Sequence, residues 1–370
     1  MYLTKLELTD FRNYRQASLE PDRYLNLIAG PNAQGKTNLL EAVFFLLTGR
    51  SFRTAKDGEI IRRGAGFFAI SCRMNTRFGE IEIAIKVKPG EKKFLVNGSA
   101  VRGFPLGRPG AVLFSPDDLA LVKGSPQERR AFLDQELCPL QPRYTQLLQR
   151  YQRALQQRNN LLREIRERRQ PRENLEPWNE QLCRYGAGVL HGRFAVLKKF
   201  APLAGRLHRD ISAGKEFLDL RYNASVRIED GKTEADLYRS FRRSLDLCAK
   251  EEVDRAHTLV GPHRDDVSFY INGSDARVFG SRGQQRTVVL ALKTGLIDLW
   301  ERETGDQPLL LLDDVLFELD ATRQKSLLDR VFGSVQTFIT TAGKNSLSGF
   351  AKPAPVFQIE NGRIAGFYRI

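Results

Sequence analysis

The chain has 370 residues, 41% of them hydrophobic, which is enough to bury a large core and excludes a disordered chain. Its most apolar runs, Leu39–Leu47 and Leu309–Leu312, fall far short of the roughly 18 residues of a membrane span. Met1-Tyr2-Leu3-Thr4-Lys5 opens without an apolar targeting segment, so a cytoplasmic protein is expected. Fifty-eight Lys and Arg against 44 Asp and Glu give a net charge of +14, which attracts polyanions, nucleic acid first and anionic membrane second. Cys72, Cys138, Cys183 and Cys248 lie far apart with no C-x-x-C spacing. They read as small packed side chains, not as zinc or dithiol sites.

Leu3–Leu8 alternates apolar and polar residues, the pattern of a half-buried strand. Tyr24–Ala29 reads as a second strand running into a glycine turn, and Thr37–Leu47 as a largely buried helix. Phe67–Val96 holds strand-like pieces with turn signals at Phe78-Gly79, Pro89-Gly90 and Asn97-Gly98, predicting hairpins. Ala111–Phe114 is another short strand. At Ser125-Pro126-Gln127-Glu128 a capping serine, a proline at the first helical position and a glutamate three after the cap predict a helix start.

From Tyr144 the period becomes helical through Leu147, Leu148, Tyr151, Leu155, Leu161, Leu162 and Ile165. Pro171 and Pro177 bracket a break, and the pattern resumes from Leu182 to Leu207. Two long helices with a short connector predict an antiparallel helical hairpin. Residues 143–210 hold fifteen basic and six acidic side chains, a net +9 of the total. They form either a solvated helical face or a nucleic-acid-facing surface. Glu234–Leu247 predicts a helix. Val267–Ile271, Asn272-Gly273 and Arg277–Phe279 predict a hairpin with a type I′ turn. A helix over Gln284–Trp300, a buried parallel strand at Leu309–Leu312, a helix over Ala321–Val331, a strand at Val335–Thr340 and a hairpin around Asn361-Gly362 complete the chain.

Gly30-Pro31-Asn32-Ala33-Gln34-Gly35-Lys36-Thr37 matches the phosphate-binding pattern G-x-x-x-x-G-K-[ST] between a strand and a helix, with Asn38 following. The glycines let backbone N–H groups converge on a phosphate, and the helix N-terminus adds its positive end. Lys36 is placed to reach the β- and γ-phosphates of ATP, and the Thr37 hydroxyl to ligate Mg²⁺. Leu309–Leu312 ends in Asp313-Asp314. Asp313 is placed to hold Mg²⁺ through water, and Asp314 to orient and deprotonate an attacking water. Because 277 positions separate Lys36 from Asp313, the chain must leave the nucleotide site, build an insertion and return. Ser281-Arg282-Gly283-Gln284 stands just before a helix and offers a second phosphate-binding helix end. His263-Arg264-Asp265 suggests a kinase catalytic loop, but position 270 is Tyr where that loop needs Asn, so a structural polar network is expected.

These motifs, with Leu6–Tyr14, Ser51-Phe52-Arg53-Thr54, Phe114–Leu119, Gly124-Ser125-Pro126, Gly261–Asp266, Gln284-Gln285-Arg286 and Glu318-Leu319-Asp320, resemble the RecF family of SMC/ABC-type ATPases from end to end. The resemblance implies an α/β fold: an ABC-type P-loop ATPase lobe with an inserted helical-hairpin arm lobe, a short SMC-like arm. The implied division is residues 1–142 for the first half of the ATPase lobe, 143–250 for the arm lobe and 251–370 for the second half. It further implies an ATP-dependent head-to-tail homodimer in which Ser281 and Gly283, with Gln284, cover the nucleotide of the opposite subunit. Asp320 would lie across that interface, and Arg12 and Arg53 would contact adenine or phosphates. Such a dimer binds DNA at gaps and, with RecO and RecR, loads RecA in repair, replication restart and SOS induction. Three features depart from the wider ABC pattern. Asp314 stands where most members have Glu, which suggests slow turnover. Arg282 and Gln284-Gln285 replace G-G-Q, and Thr340-Thr341 stands where a switch histidine is usual.

A structural DNA-tethering ATPase of SMC type is the alternative. It would need long arms, whereas 25–30 residues per limb span on the order of 40 Å. A metabolic P-loop kinase would not need the 281–284 segment, and a transporter ATPase would not need the basic arm.

Overall fold

The computed structural model describes residues 1–77, 79–102, 110–229, 231–316, 320–331, 333–342 and 354–369. Expected features at Phe78 and at Glu318-Leu319 lie outside these residues. The chain forms two compact units, residues 1–118 with 297–370, and residues 119–296. The sequence divides it instead at 142/143 and 250/251, and so places the segment 281–284 with the ATPase lobe; by contacts that segment belongs to the second unit.

The first unit begins with β1 (Tyr2–Phe11), β2 (Tyr14–Leu19), β3 (Leu25–Ala29), α1 (Lys36–Thr48), β4 (Phe68–Thr76), β5 (Gly79–Lys88), β6 (Glu91–Val96), β7 (Ser99–Val101) and β8 (Ala111–Phe114). The second unit holds α2 (Ala120–Lys123), α3 (Pro126–Phe132), α4 (Pro142–Arg166), α5 (Glu176–Ile211), β9 (Leu218–Asn223), α6 (Glu234–Arg255), β10 (Asp266–Ile271) and β11 (Ser274–Asp275). Helix α7 (Arg282–Thr304) carries the chain back to β12 (Leu309–Leu312), α8 (Ala321–Val331), β13 (Thr337–Thr341), β14 (Pro355–Glu360) and β15 (Arg363–Arg369).

Two six-stranded sheets build the first unit. One is antiparallel, ordered β2-β1-β4-β5-β6-β7; the other is ordered β15-β14-β3-β13-β12-β8. In the second sheet β14, β3, β13, β12 and β8 run parallel, and β15 closes the edge antiparallel. Strands β3, β13 and β12 are buried along their whole length, which is why Leu309–Leu312 carries no alternation. Helix α1 is apolar on nearly every side and touches strands of both sheets, so both contribute to one core. The buried Gln336 side chain acts as a polar clasp. It accepts from the Leu3 N–H at 2.7 Å and donates to the Leu3 and Asp22 carbonyls at 2.9 and 2.7 Å.

Most hairpin signals match. Asn97 and Gly98 have φ of +49° and +75°, and Asn272 and Gly273 have +50° and +82°, as a type I′ turn requires at both central residues. The strand returning from the second turn is Ser274–Asp275, not the expected Arg277–Phe279. Asp275 accepts from the N–H groups of Arg277 and Phe279, and this curls the chain out of the sheet. Ser125 caps α3 as expected, with Pro126 at its first turn.

In the second unit α4 and α5 form the expected antiparallel hairpin. Gly192, Gly188 and Gly186 of α5 give room in turn to Tyr144, Leu147 and Tyr151 of α4. Helix α6 extends to Arg255, beyond the expected Leu247, and packs on α5, so the arm rests on three helices. Two of the fifteen arm cations are interior. Arg193 pairs with Asp134 at 2.8 Å. Arg158 donates to Glu252 at 2.6 Å, Thr258 at 2.8 Å and Asn179 at 2.8 Å. His263-Arg264-Asp265 is a structural network. His263 stands 2.6 Å from the Tyr151 hydroxyl, and burial lowers its pKa to about 4. Asp265 is buried and accepts from the Ser225 amide and hydroxyl, each at 2.7 Å. The four cysteines are free thiols. Among the described residues no helix is long and apolar enough to cross a membrane.

Glu252→Ala would strand the Arg158 guanidinium without its counter-ion, and urea unfolding is expected to show a loss of about 3–5 kcal/mol. The paired change Arg158→Met with Glu252→Leu is expected to recover most of it, because both charges leave the interior together.

Candidate functional site

The phosphate-loop segment leaves the buried strand β3 and enters α1. Gly30, Ala33 and Gly35 have φ of +157°, +64° and +120°, left-handed turns that let neighbouring N–H groups face a common point. A Cβ on Gly30 would stand 2.4 Å from the Ile359 carbonyl oxygen, and one on Gly35 would stand 2.7 Å from the Asn13 amide. Only glycine fits either position. The N-terminus of α1 has no side-chain cap and no acidic residue in its first turn, so its positive end is left for an anion.

The segment is held from two sides. Asn13 Nδ2 donates to the Gln34 carbonyl at 2.9 Å, and the Tyr14 hydroxyl to the Gly35 carbonyl at 3.0 Å. From the C-terminal hairpin, the Asn361 N–H donates to Gln34 Oε1 at 2.6 Å and the Gly362 N–H to the Gln34 carbonyl at 2.9 Å. Lys36 is 4% exposed, and its Nζ donates to the Gly30 and Pro31 carbonyls at 2.9 and 3.1 Å. The ammonium therefore stays within the loop it would serve.

The parallel register sets Asp313 at the end of β12, where its N–H donates to the Phe114 carbonyl at 2.9 Å. The Thr37 hydroxyl donates to Asp313 Oδ1 at 2.9 Å, across 276 positions of sequence. The Thr340 hydroxyl lies 3.0 Å from the same oxygen and accepts from the Asp314 N–H at 2.8 Å. Burial raises the Asp313 pKa, and the hydrogen bonds from Thr37 and Thr340 oppose that rise. Asp314 sits in the left-handed region at φ +55°, which turns it from the strand direction. A hydroxyl beside a carboxylate is a hard-oxygen pair and suits Mg²⁺.

Arg12 and Arg53 converge on a group the sequence reading did not single out. Glu41 lies one turn after Thr37 in α1 and is 0% exposed. Its carboxylate accepts from Arg12 Nε at 2.8 Å and Arg12 Nη2 at 2.6 Å, and from the Ser51 hydroxyl. Arg12 Nη1 donates to the Glu59 carbonyl at 2.9 Å, so all three of its nitrogens are engaged within the unit. Arg53 stands 3.7 Å from Glu41 and donates to Asn38 Oδ1 at 2.7 Å. Asn38 in turn donates to Asn13 Oδ1 at 2.8 Å. The available signal was a lone carboxylate inside the apolar run Leu39–Leu47.

Two further groups of expected site residues are carried by other elements. Asp320 is exposed at the start of α8, where its carboxylate accepts from the Arg323 N–H at 2.9 Å. Ser281, Gly283 and Gln284 belong to the second unit, at the start of α7. There Ser281 Oγ accepts from the Gln284 N–H at 3.2 Å, and Gln284 Oε1 accepts from the Ser281 N–H at 2.8 Å. This reciprocal pair is a capping box.

Comparison with known proteins finds relatives over nearly the whole chain. Residues 2–103 match the RecF/RecN/SMC N terminal domain. The DNA replication and repair protein RecF of Pelotomaculum thermopropionicum is 48% identical over 98% of this chain and 100% of its own length. That of Bacillus subtilis is 39% identical over the same shares. A solved structure of the recombination mediator protein RecF with ATP, in the RecFOR pathway, superposes with a TM-score of 0.90 at 34% identity, covering 100% of this chain and 97% of that one. An SMC head bound to the C-winged helix domain of ScpA shares the fold at a TM-score of 0.55 and 15% identity.

Asp313→Asn keeps an acceptor for Thr37 and removes the buried charge. Since folding raises the Asp313 pKa, stability falls as pH rises from the ordinary carboxylate range through the folded value. The variant is expected to melt higher than the parent at pH 8, with the gap closing by about pH 4; thermal melts across that range check it.

Proposed function

Because the chain belongs to the RecF family of SMC/ABC-type ATPases, we propose that it is an ATP-driven, DNA-binding recombination mediator. The observation that carries this reading is the junction of Thr37 with Asp313, which joins the end of the 30–37 loop to the buried carboxylate after β12. In this reading Gly30, Pro31, Asn32, Ala33, Gln34, Gly35 and Asn38 cradle the phosphates of ATP, and Lys36 neutralises the β- and γ-phosphates. Thr37 and Asp313 hold Mg²⁺, which when bound offsets phosphate charge. Asp314 orients an attacking water and accepts its proton. Its carboxylate is one methylene shorter than the Glu usual in ABC ATPases, so turnover is slow and serves as a switch.

Arg53 is the cation that faces the nucleotide. Arg12 stands with it as a contact for adenine or phosphates, and its three bonds also fix Glu41 and the loop after β1. Ser281, Gly283 and Gln284 cover the nucleotide of a second copy, whose Asp320 lies at the same interface. Two ATP molecules then stabilise a homodimer only while both γ-phosphates are present. DNA, double-stranded and gapped, binds the dimer through phosphate contacts that weaken steeply with salt. DNA stimulates hydrolysis, and with RecR and RecO the dimer promotes RecA loading in the cytoplasm. A chromosome-tethering role of SMC type is disfavoured by the arm, whose longest helix has 36 residues, roughly 54 Å.

Lys36→Arg is expected to lower ATP turnover by about a hundredfold and to abolish ATP-linked DNA retention in a gel shift at two salt concentrations. Ser281→Arg is expected to bind ATP normally yet sediment as a monomer with ATP. ATP-dependent DNA retention in the first variant, or a normal ATP dimer in the second, contradicts the reading.

A further inference from the structure

The turn carrying Ser281, Gly283 and Gln284 is braced from outside itself as well as from within. Gln284 uses Oε1 to accept from the Ser281 N–H at 2.8 Å, and Ser281 Oγ accepts from the Gln284 N–H at 3.2 Å. The other end of the Gln284 amide, Nε2, donates to Glu216 Oε1 at 2.9 Å. That bond fixes the orientation of the amide, because a flipped Gln284 would offer an N–H to the Ser281 N–H and an oxygen to a carboxylate. Glu216 thus favours the amide orientation in which Gln284 caps Ser281.

Glu216 belongs to the arm. It follows the C-terminus of α5, where Ala213 and Gly214 turn the chain at φ of +53° and +79°. The Ser212 hydroxyl accepts from the Glu216 N–H at 3.2 Å and anchors the turn. The second carboxylate oxygen, Oε2, stands 3.7 Å from Nε2 of His208, which is buried in the last turn of α5. The same end of α5 meets α7 a second time. A Cβ on Gly295 would stand 3.2 Å from Phe200 and 3.5 Å from Leu207, so the two helices are in close contact there. A single 36-residue helix therefore runs from the arm's far end, at Glu176, to the residues that set the turn.

We propose that Glu216 is a positioning residue for the 281–284 turn, through which helix α5 of the arm sets that turn's competence to cover a nucleotide on a second copy of this chain. The proposal rests on the reading given above for Ser281 and Gly283 and names the arm as the regulator of that site. Glu216 touches no nucleotide; it acts through Gln284.

The test uses the full-length protein with Glu216→Ala, Glu216→Gln and Ser281→Arg. For each, affinity for a fluorescent ATP analogue, steady-state ATP turnover, ATP-dependent sedimentation and thermal midpoint are measured. Glu216→Ala leaves Gln284 free to flip. It is expected to keep nucleotide affinity within about twofold while turnover and dimerisation fall about tenfold, the size of one lost hydrogen bond to a charged group. Glu216→Gln keeps an acceptor oxygen for Gln284 and is expected to retain turnover within about threefold. Glu216→Ala with full turnover, beside a Ser281→Arg that fails to dimerise, overturns the proposal and leaves the role of the turn intact. Equal losses in Ala and Gln variants with matching drops in thermal midpoint also overturn it, since Glu216 would then be a packing residue. Full turnover in Ser281→Arg itself overturns the underlying reading.

Discussion

The hydroxyl of Thr37 meets the carboxylate of Asp313 because a doubly buried strand holds that carboxylate in fixed register. Four leucines pair β12 with β8 on one side, and three of them pair it with β13 on the other. A slip of one residue along this parallel ladder would turn Asp313 to the opposite face. The phosphate loop depends on the same sheet, since β3 is the next strand beyond β13. The site is thus a property of strand order. The helix after the loop is locked by burial, the acid after β12 by register, and Thr340 of β13 bridges the two strands with its hydroxyl.

Burial sets the electrostatics as well as the geometry. Asp313 is only 7% exposed, and desolvation opposes its charge. In the proposed reading, a bound divalent cation would relieve that penalty. Glu41 shows the contrasting case. It is more deeply buried but paired, with Arg12 and Ser51 supplying donors to both carboxylate oxygens and Arg53 standing 3.7 Å away. The first carboxylate carries a desolvation cost; the second is matched by its partners.

Much of this was legible in the sequence. Gly30–Thr37, Leu309–Asp314 and the long helical periods of the arm carry strong local patterns, and the structure returns all three as elements. What was missed depended on partners distant in sequence. Glu41 was not singled out, because its partners Arg12 and Arg53 lie outside its own helix. Thr340 looked like a missing histidine and is a hydrogen-bonding bridge. Arg158 and Arg193 counted toward a basic surface but lie inside, each facing a carboxylate that periodicity could not identify. The strand expected at Arg277–Phe279 failed for a local reason, the Asp275 side chain capturing the next N–H.

The central claim is that the nucleotide held by Lys36, Thr37 and Asp313 of one copy is completed by residues 281–284 of another. Mixing Lys36→Arg protein with Ser281→Arg protein tests it directly. Each variant alone should be nearly inactive in ATP turnover. In a mixed dimer one site combines both defects, while the other joins an intact phosphate loop to an intact 281–284 turn. The account predicts that equimolar mixing restores turnover well above that of either component, up to a ceiling of about a quarter of the parental value, from the one good site of a mixed dimer. A mixture no more active than its components would contradict it.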